Sequence, residues 1–307
     1  MRIIFMGTPE FAVPSFKALI ESEEEVVALV SQPDRPRGRG RKLTTTPTKL
    51  AAEDHHIPVL QPDKIRNDIF LKEISDLEPD LMVVAAYGKI LPQTLLELPP
   101  HGCINVHASL LPWYRGAAPI NWAIVRGEKV TGVTIMQMDE GMDRGDVLLK
   151  KETPISEDDT GETLAKRLSV MGAELLIETI KRLKEGSLVA RKQDESNASY
   201  APMLKKEDGL IDWNRPSFEI RNLIRGMLPW PGAFTHLGDK MLKIYSAKSA
   251  QSRGKPGEVL SSEKGALEVA CGQGSLVISE LQTEGGKRLD TKSFLSGRKI
   301  EPGTVLV

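Results

Sequence analysis

Cysteine is nearly absent from this chain. Its two cysteines, Cys103 and Cys271, form no CxxC pair, so neither a disulfide scaffold nor a zinc ribbon is expected, and a reducing compartment fits. The five histidines also lack metal-ligand spacing; His55 and His56 are neighbours rather than four apart. No metal is expected. No apolar run is long enough to span a bilayer, and the opening MRIIFMG enters a strand directly, without a secretory apolar region. A cytoplasmic protein with no membrane partner is the expectation. Both GxGxxG and GxxxxGK(S/T) are missing, and the GTP at residues 7–9 holds a single glycine, so no dinucleotide or P-loop nucleotide is expected as a cofactor. Excess charge is missing as well. A net charge of −1 argues against a simple nucleic-acid coat. It hides an asymmetry, however: residues 205–307 carry 16 Lys/Arg against 12 Asp/Glu, leaving 25 against 30 in residues 1–204. A basic C-terminal part points to a polyanionic partner.

What is present is ample for a folded core. The 307 residues are 40% hydrophobic and 27% charged, the balance of a globular protein of one large or two ordinary domains. The first half alternates. RIIFMG, EVVALVS, DLMVVAAYG and GCINVH read as buried strands, separated by helical stretches such as TPEFAVPSFKALIES, which Thr8 and Pro9 are expected to open. Alternation of apolar strands with helices implies a doubly wound α/β domain, Rossmann-like, around a mostly parallel sheet. GVTIMQM and DVLLKKETPI extend the sheet, and residues 160–186 form a long closing helix. Residues 189–208 are polar without a sustained period and read as a linker. Beyond them, short strand-like pieces between Gly-rich turns predict a small antiparallel β-barrel, OB-like, over 209–307. The expected catalytic domain is 1–188.

GCINVHASLLPWYRGAAPI (102–120) places an amide and an imidazole two residues apart at the end of a strand. Residues two apart share a face, so Asn105 and His107 point the same way. Active sites of open α/β sheets lie beyond the C-terminal strand ends. By position alone two readings stay open: a site, or a His–Asn pair tying down a loop. GVTIMQMDEGMDRGDVLL then joins two strands through an acidic turn holding Asp139, Glu140, Asp143 and Asp146. Most of these are ordinary turn residues. A turn at the same sheet end would nevertheless bring one carboxylate to His107. Amide, imidazole and carboxylate together suit acyl transfer, as oxyanion donor, acid/base and orienter, when the substrate brings its own amine.

Residues 31–50 hold Arg35, Arg37, Arg39, Arg41, Lys42 and Lys49 against Asp34 alone. Proline and glycine keep this loop from being helical. It follows the second strand, at the sheet end where His107 is expected. Arginine-rich segments of this kind often order on RNA.

NVHASLLP followed at a distance by MDxGxDxGD resembles the folate-dependent formyltransferases. FMGTPEFAVPSF, SQPDRPRGRGRKL and RGAAPINWAI narrow the resemblance, over nearly the whole chain, to the members that act on methionyl-tRNA. The resemblance implies formyl transfer from 10-formyltetrahydrofolate, a co-substrate rather than a tightly bound cofactor, to the α-amine of initiator methionyl-tRNA. It assigns catalysis to Asn105, His107 and Asp143, with Asp143 orienting His107. Folate binding falls to Tyr87, Gly88, Lys89 and Ile90 and to Ser109, Leu110, Leu111 and Pro112. The tRNA falls to Arg35, Arg37, Arg39, Arg41, Lys42 and the basic barrel, with Arg39 singled out as the reader of the acceptor end. Trp113 stands where many members carry a basic residue, so no phosphate or glutamate contact is assigned to it. A monomer is expected. Three alternatives remain open: a formyltransferase for a small amine such as a nucleotide-linked amino sugar or glycinamide ribotide, a tRNA-binding module without catalysis, and a hydrolase releasing formate.

Overall fold

The computed structural model describes residues 1–37, 42–263 and 265–307. In chain order its first part contains β1 (Arg2–Gly7), α1 (Val13–Ile20), β2 (Glu25–Val30), β3 (Arg35–Arg37), β4 (Lys42–Thr44), α2 (Pro47–Asp54), β5 (Val59–Leu60), α3 (Asp68–Asp76), β6 (Leu81–Ala85), α4 (Gln93–Leu96), β7 (Cys103–His107) and β8 (Arg115–Gly116). There follow α5 (Pro119–Val125), β9 (Val130–Gln137), β10 (Val147–Pro154), α6 (Gly161–Lys184) and β11 (Tyr200–Ala201).

The strands that read as uninterrupted apolar runs are the middle of a seven-stranded sheet, ordered β10-β9-β7-β6-β1-β2-β5. Strands covered on both faces need apolar residues on both, and the five residues of β6 and of β7 are all buried. β1, β2, β5, β6 and β7 run parallel. From β1 the chain builds outward to β2 and β5, then returns to place β6 and β7 on the other side. The switch point therefore lies between β1 and β6, where ligands of such sheets bind. One layer beneath the sheet joins Met6, Val30, Val84 and Cys103 to Phe70, Ile74 and Leu95. Burial pushes the Cys103 thiol up to about 12, so this cysteine packs rather than reacts. Thr8 does not open the first helix as expected. A short turn over Glu10–Ala12 precedes α1, whose N-cap is Ala12; the Thr8 hydroxyl instead accepts the Gln32 backbone N–H at 3.1 Å, tying the β1 and β2 exits together.

β9 runs antiparallel to β7, and β10 antiparallel to β9. The register sets His107 opposite Thr134 and Ile104 opposite Gln137. β9 therefore ends beside the start of β7, not beside its end.

Two compact units emerge, and they interleave in sequence. One comprises Met1–Pro119, Val130–Pro154 and Ala165–Ala201; the other Ile120–Lys129, Ile155–Leu164 and Pro202–Val307. The expected linker is thus divided, with residues 189–201 packed as part of the first unit. The second unit contains α7 (Ser217–Gly226), β12 (Ala233–Leu237), β13 (Lys240–Ala250), β14 (Val259–Ser261), β15 (Leu267–Ala270), β16 (Ser275–Thr283), β17 (Leu289–Asp290) and α8 (Thr291–Ser296). Its antiparallel sheet, β12-β13-β16-β15-β14 with β17 on β16, curls into a half-barrel. β13 breaks register at Ser246, an irregularity that bends a strand. Residues 304–307 bridge the two edge strands: Val307 exchanges backbone bonds with His236 of β12, while Val259 of β14 donates to Thr304 at 2.8 Å. Leu306 points inward, 1% exposed, into a core with Trp213, Ile244 and Val269. Leu306→Ala is expected to lower unfolding stability by about 2–5 kcal/mol, read by chemical denaturation. No helix among the described residues is long and apolar enough to cross a membrane.

Candidate active site

Asn105 and His107 are both buried, at 9% and 5% exposure, on the face of β7 that also carries Cys103. The acidic turn reaches them by a route that the sequence reading did not anticipate. Because β9 is antiparallel, the turn over 138–146 starts at the opposite end of β7, where Met138 N donates to Cys103 O at 2.8 Å. It then folds back along the sheet face. Asp143, with φ +53°, brings its carboxylate to both residues. Asn105 Nδ2 approaches Oδ1 at 3.4 Å, and His107 Nδ1 lies 3.6 Å from Oδ2. Asp is among the few non-glycine residues that tolerate this left-handed conformation. Oδ2 also accepts the backbone N–H of Gly116 at 2.8 Å.

His107 has a second partner. Its Nε2 sits 3.0 Å from the carbonyl oxygen of Tyr114. A carbonyl only accepts, so this contact places a hydrogen on Nε2 and leaves Nδ1 as the nitrogen on the Asp143 side. The imidazole ties down the loop after β7 through the Tyr114 carbonyl rather than as half of a His–Asn pair, and it presents its other nitrogen to a carboxylate. Among the described residues no Ser or Cys side chain hydrogen-bonds to the Asn105, His107 or Asp143 side chain. Amide, imidazole and carboxylate can hold an oxyanion and move a proton for a nucleophile that arrives with the substrate.

The loop from Ser109 to Pro112 is tied to β9 through one hydroxyl. Thr134 Oγ1 donates to Ser109 O at 2.7 Å and accepts from Leu111 N at 3.1 Å. Ser109 Oγ donates to Trp113 O at 2.6 Å, and Lys150 Nζ donates to Leu111 O. Leu111 is fully buried; Leu110 and Pro112 are half-buried.

The other expected folate residues lie at the switch point. A cavity of about 440 Å³ opens there, lined by Thr8, Gln32, Arg35, Thr46 and Ala86 among others, together with Tyr87, Gly88 and Lys89. Tyr87 is 2% exposed, its side chain in the core; burial pushes its phenol up to about 12. Its carbonyl oxygen accepts from Gln32 Nε2 at 3.1 Å. Lys89 Nζ donates to the carbonyls of Pro62 and Asp63 at 3.0 and 2.9 Å. Desolvation, and then the nearby Arg35 charge, hold its pKa below the ordinary lysine value. Ile90 is 66% exposed. Seven of the eight residues thus divide between the switch-point cavity and the loop behind β7; Ile90 is not among the residues lining that cavity.

The basic segment is not wholly irregular: β3 and β4 pair as an antiparallel ribbon, Arg35 opposite Thr44 and Arg37 opposite Lys42. Arg35 lines the cavity; Arg39 and Arg41 lie outside the described residues. At the ribbon's base Lys49 donates to Asp34 at 2.7 Å and to Gln61 at 2.9 Å. Hydrogen bonding to Lys49 holds the Asp34 carboxyl below its ordinary range.

This geometry sits on a chain matched by two family descriptions: formyl transferase over residues 1–180, and formyl transferase, C-terminal domain, over residues 203–299. The chain belongs to the formyl transferase family. A methionyl-tRNA formyltransferase of Citrifermentans bemidjiense is 58% identical to it over 306 residues, covering 100% of this chain and 96% of the relative. Another, from Caldanaerobacter subterraneus subsp. tengcongensis, is 53% identical over 309 residues and covers 100% of both. Among solved structures, an N-formyltransferase of Helicobacter canadensis in complex with folinic acid and dTDP-3-aminofucose superposes with a TM-score of 0.70 at 19% identity, covering 94% of this chain and 100% of that one. HypX from Aquifex aeolicus in complex with tetrahydrofolic acid gives 0.64 at 18% identity, over 99% of this chain and 50% of that one.

In this formyl transferase four residues missed by sequence reasoning frame the site. Thr134 carries the Ser109–Leu111 turn, and its only trace was β-strand parity opposite His107. Ser199 Oγ accepts from Tyr114 N at 2.9 Å. Arg115, fully buried, spans to Gln193 and Glu195. Gln193 and Ser199 sit in a polar stretch whose composition matched a solvated linker.

Proposed function

We propose that this formyl transferase moves the formyl group of 10-formyltetrahydrofolate to the α-amino group of methionine esterified to initiator tRNA. The observation that carries the reading is the meeting of Asn105, His107 and Asp143, at 3.4 and 3.6 Å from the carboxylate, in a chain 58% identical over its length to a methionyl-tRNA formyltransferase. A free α-amino group titrates at about 7.7–8.0, and the ester beside it lowers that value, so a useful fraction is neutral near pH 7. The amine nitrogen attacks the formyl carbon, and the carbonyl electrons move onto oxygen. Asn105, which has two amide hydrogens, donates one to that oxyanion. His107 Nδ1, beside Asp143, takes the proton that the attacking nitrogen must lose; the oxyanion's electron pair then re-forms the C=O bond as the C–N bond breaks with its pair on the departing folate nitrogen, to which His107 returns the proton. Every proton and electron pair is accounted for without a protein nucleophile.

The loop behind β7 and the switch-point cavity supply apolar surface and backbone polar groups for a flat heterocycle. The basic segment that carries the β3–β4 ribbon and the basic stretch 205–307 supply phosphate contacts for the tRNA. The test compares formyl transfer to charged initiator tRNA, to a dTDP-linked amino sugar and to glycinamide ribotide, with formate release monitored. Transfer to the tRNA alone is expected. Preferential transfer to a small amine, or formate release without an acceptor, would overturn the reading.

A further inference from the structure

The chain after α6 runs back across the site as a strap. Arg191 and Val147 exchange backbone bonds at 2.8 and 2.9 Å, which sets the strap beside the exit of the acidic turn. Two residues on, Gln193 commits its whole amide. Nε2 donates to the backbone carbonyls of Asp143 at 2.9 Å and Gly145 at 2.8 Å. Oε1 accepts from Arg115 Nε at 3.1 Å and Nη2 at 2.9 Å. Carbonyls on one side and a guanidinium on the other fix which end of the amide is which. Arg115 is fully buried, and its fork also grips both oxygens of Glu195, each at 2.9 Å.

Arg115 sits between the two residues that touch the working pair. Tyr114 O faces His107 Nε2, and Gly116 N donates to Asp143 Oδ2. The strap holds this backbone too: Ser199 accepts from Tyr114 N and Arg115 N, and Tyr200–Ala201 pair in parallel with Arg115–Gly116. Tyr114 has φ +60° and Asp143 φ +53°. Backbone in this region is strained for a non-glycine residue and persists only where neighbours over-determine it. Here the neighbours are the strap. A closed circuit results: Asp143 main chain, Gln193, Arg115 side chain, Arg115 main chain, Gly116 N–H, Asp143 carboxylate.

We infer that Gln193, braced by Arg115, is a positioning residue for formyl transfer, fixing the Asp143 carboxylate against His107. It touches no reacting atom; it acts by holding the turn from which Asp143 projects. The inference rests on Asp143 and His107 being the working pair.

The test uses the full-length chain and steady-state formylation kinetics for Gln193→Met, Asp143→Asn and the double variant. Gln193→Met removes all four bonds at nearly constant volume. Its kcat should fall on the order of 10- to 100-fold, the scale set by misplacing a reacting group by about 1 Å. KM for folate and for tRNA should each stay within about threefold, because the binding surfaces are untouched. In the Asp143→Asn background the same change should cost less than about threefold, since the group it positions is gone. A kcat for Gln193→Met within about twofold of wild type, or a double variant whose losses simply multiply, would overturn the brace. A near-normal kcat for Asp143→Asn would instead sink the reading of the pair beneath it. Should Gln193→Met fail to fold, Gln193→Glu keeps the acceptor toward Arg115 but loses the two donated bonds and turns a carboxylate oxygen toward the carbonyls of Asp143 and Gly145, and the same ratios are read from it.

Discussion

Asn105→Ala should lower kcat on the order of 100- to 1000-fold, the usual consequence of losing one preorganised oxyanion donor, with KM for both substrates nearly unchanged. Asn105 is the group that this effect isolates best. It is buried in the middle of β7, held in place by the flanking strands rather than by its own hydrogen bonds, so truncation leaves the fold intact. Its amide approaches Asp143 at 3.4 Å, long for a hydrogen bond and therefore easily exchanged for a developing oxyanion. Asp143→Ala should also cut kcat, by disorienting His107. If the three residues work as one unit, Asn105→Ala/Asp143→Ala loses less than the product of the singles, because residues acting together are not additive. Single variants that keep near-normal kcat would remove the assignment. Single variants that raise KM for folate instead would move Asn105 from the chemistry to the binding surface.

The parts of this site visible in sequence are those governed by local rules. β1, β2, β6 and β7 were legible because strands buried on both faces must be apolar throughout, and the two-residue period then placed Asn105 and His107 together. The direction of β9 was not legible. A strand's apolar pattern is the same read forwards or backwards, so nothing in GVTIMQM says that it runs against β7 and that the acidic turn must fold back over the sheet to deliver Asp143. The strap was misread for a different reason. Gln193 and Ser199 satisfy backbone groups that would otherwise be buried unpaired, and a polar residue spent on a buried carbonyl has the same identity as one facing water. Arg115 shows the converse, a residue type rarely buried that is buried here because both sides of its fork are met. The eight folate positions came from resemblance alone; without it Leu110 and Leu111 read as ordinary core, and Leu111 is fully buried while Leu110 is half-buried.

The other large effect lies at Gly145, in the turn that carries Asp143. Glycine in an acidic turn suggests a backbone needing positive φ, but Gly145 is not among the residues with that conformation. Space is the constraint. A Cβ there would lie 1.9 Å from the carbonyl oxygen of Gln137 and 2.9 Å from its carbon. Those are backbone atoms at the end of β9, where Gln137 N also donates to Asp146 O at 2.8 Å; they cannot swing aside as a side chain can. Gly145→Ala must therefore pry the two ends of the turn apart. That shifts Asp143, two residues upstream, and the Gly145 carbonyl that Gln193 holds. The expected result is a loss of kcat on the order of 100-fold with a stability loss of about 1–3 kcal/mol from overpacking. Gly141→Ala, four residues earlier in the same turn, is the control. Its Cβ would meet mainly the Arg144 side chain, Cδ at 2.7 Å and Nε at 3.1 Å; Arg144 is exposed and free to rotate, so activity and Tm should stay close to wild type. Kinetics and thermal unfolding of the two variants side by side decide the matter. If Gly145→Ala matches Gly141→Ala in both, the turn tolerates opening, and the position of Asp143 does not depend on its closed throat.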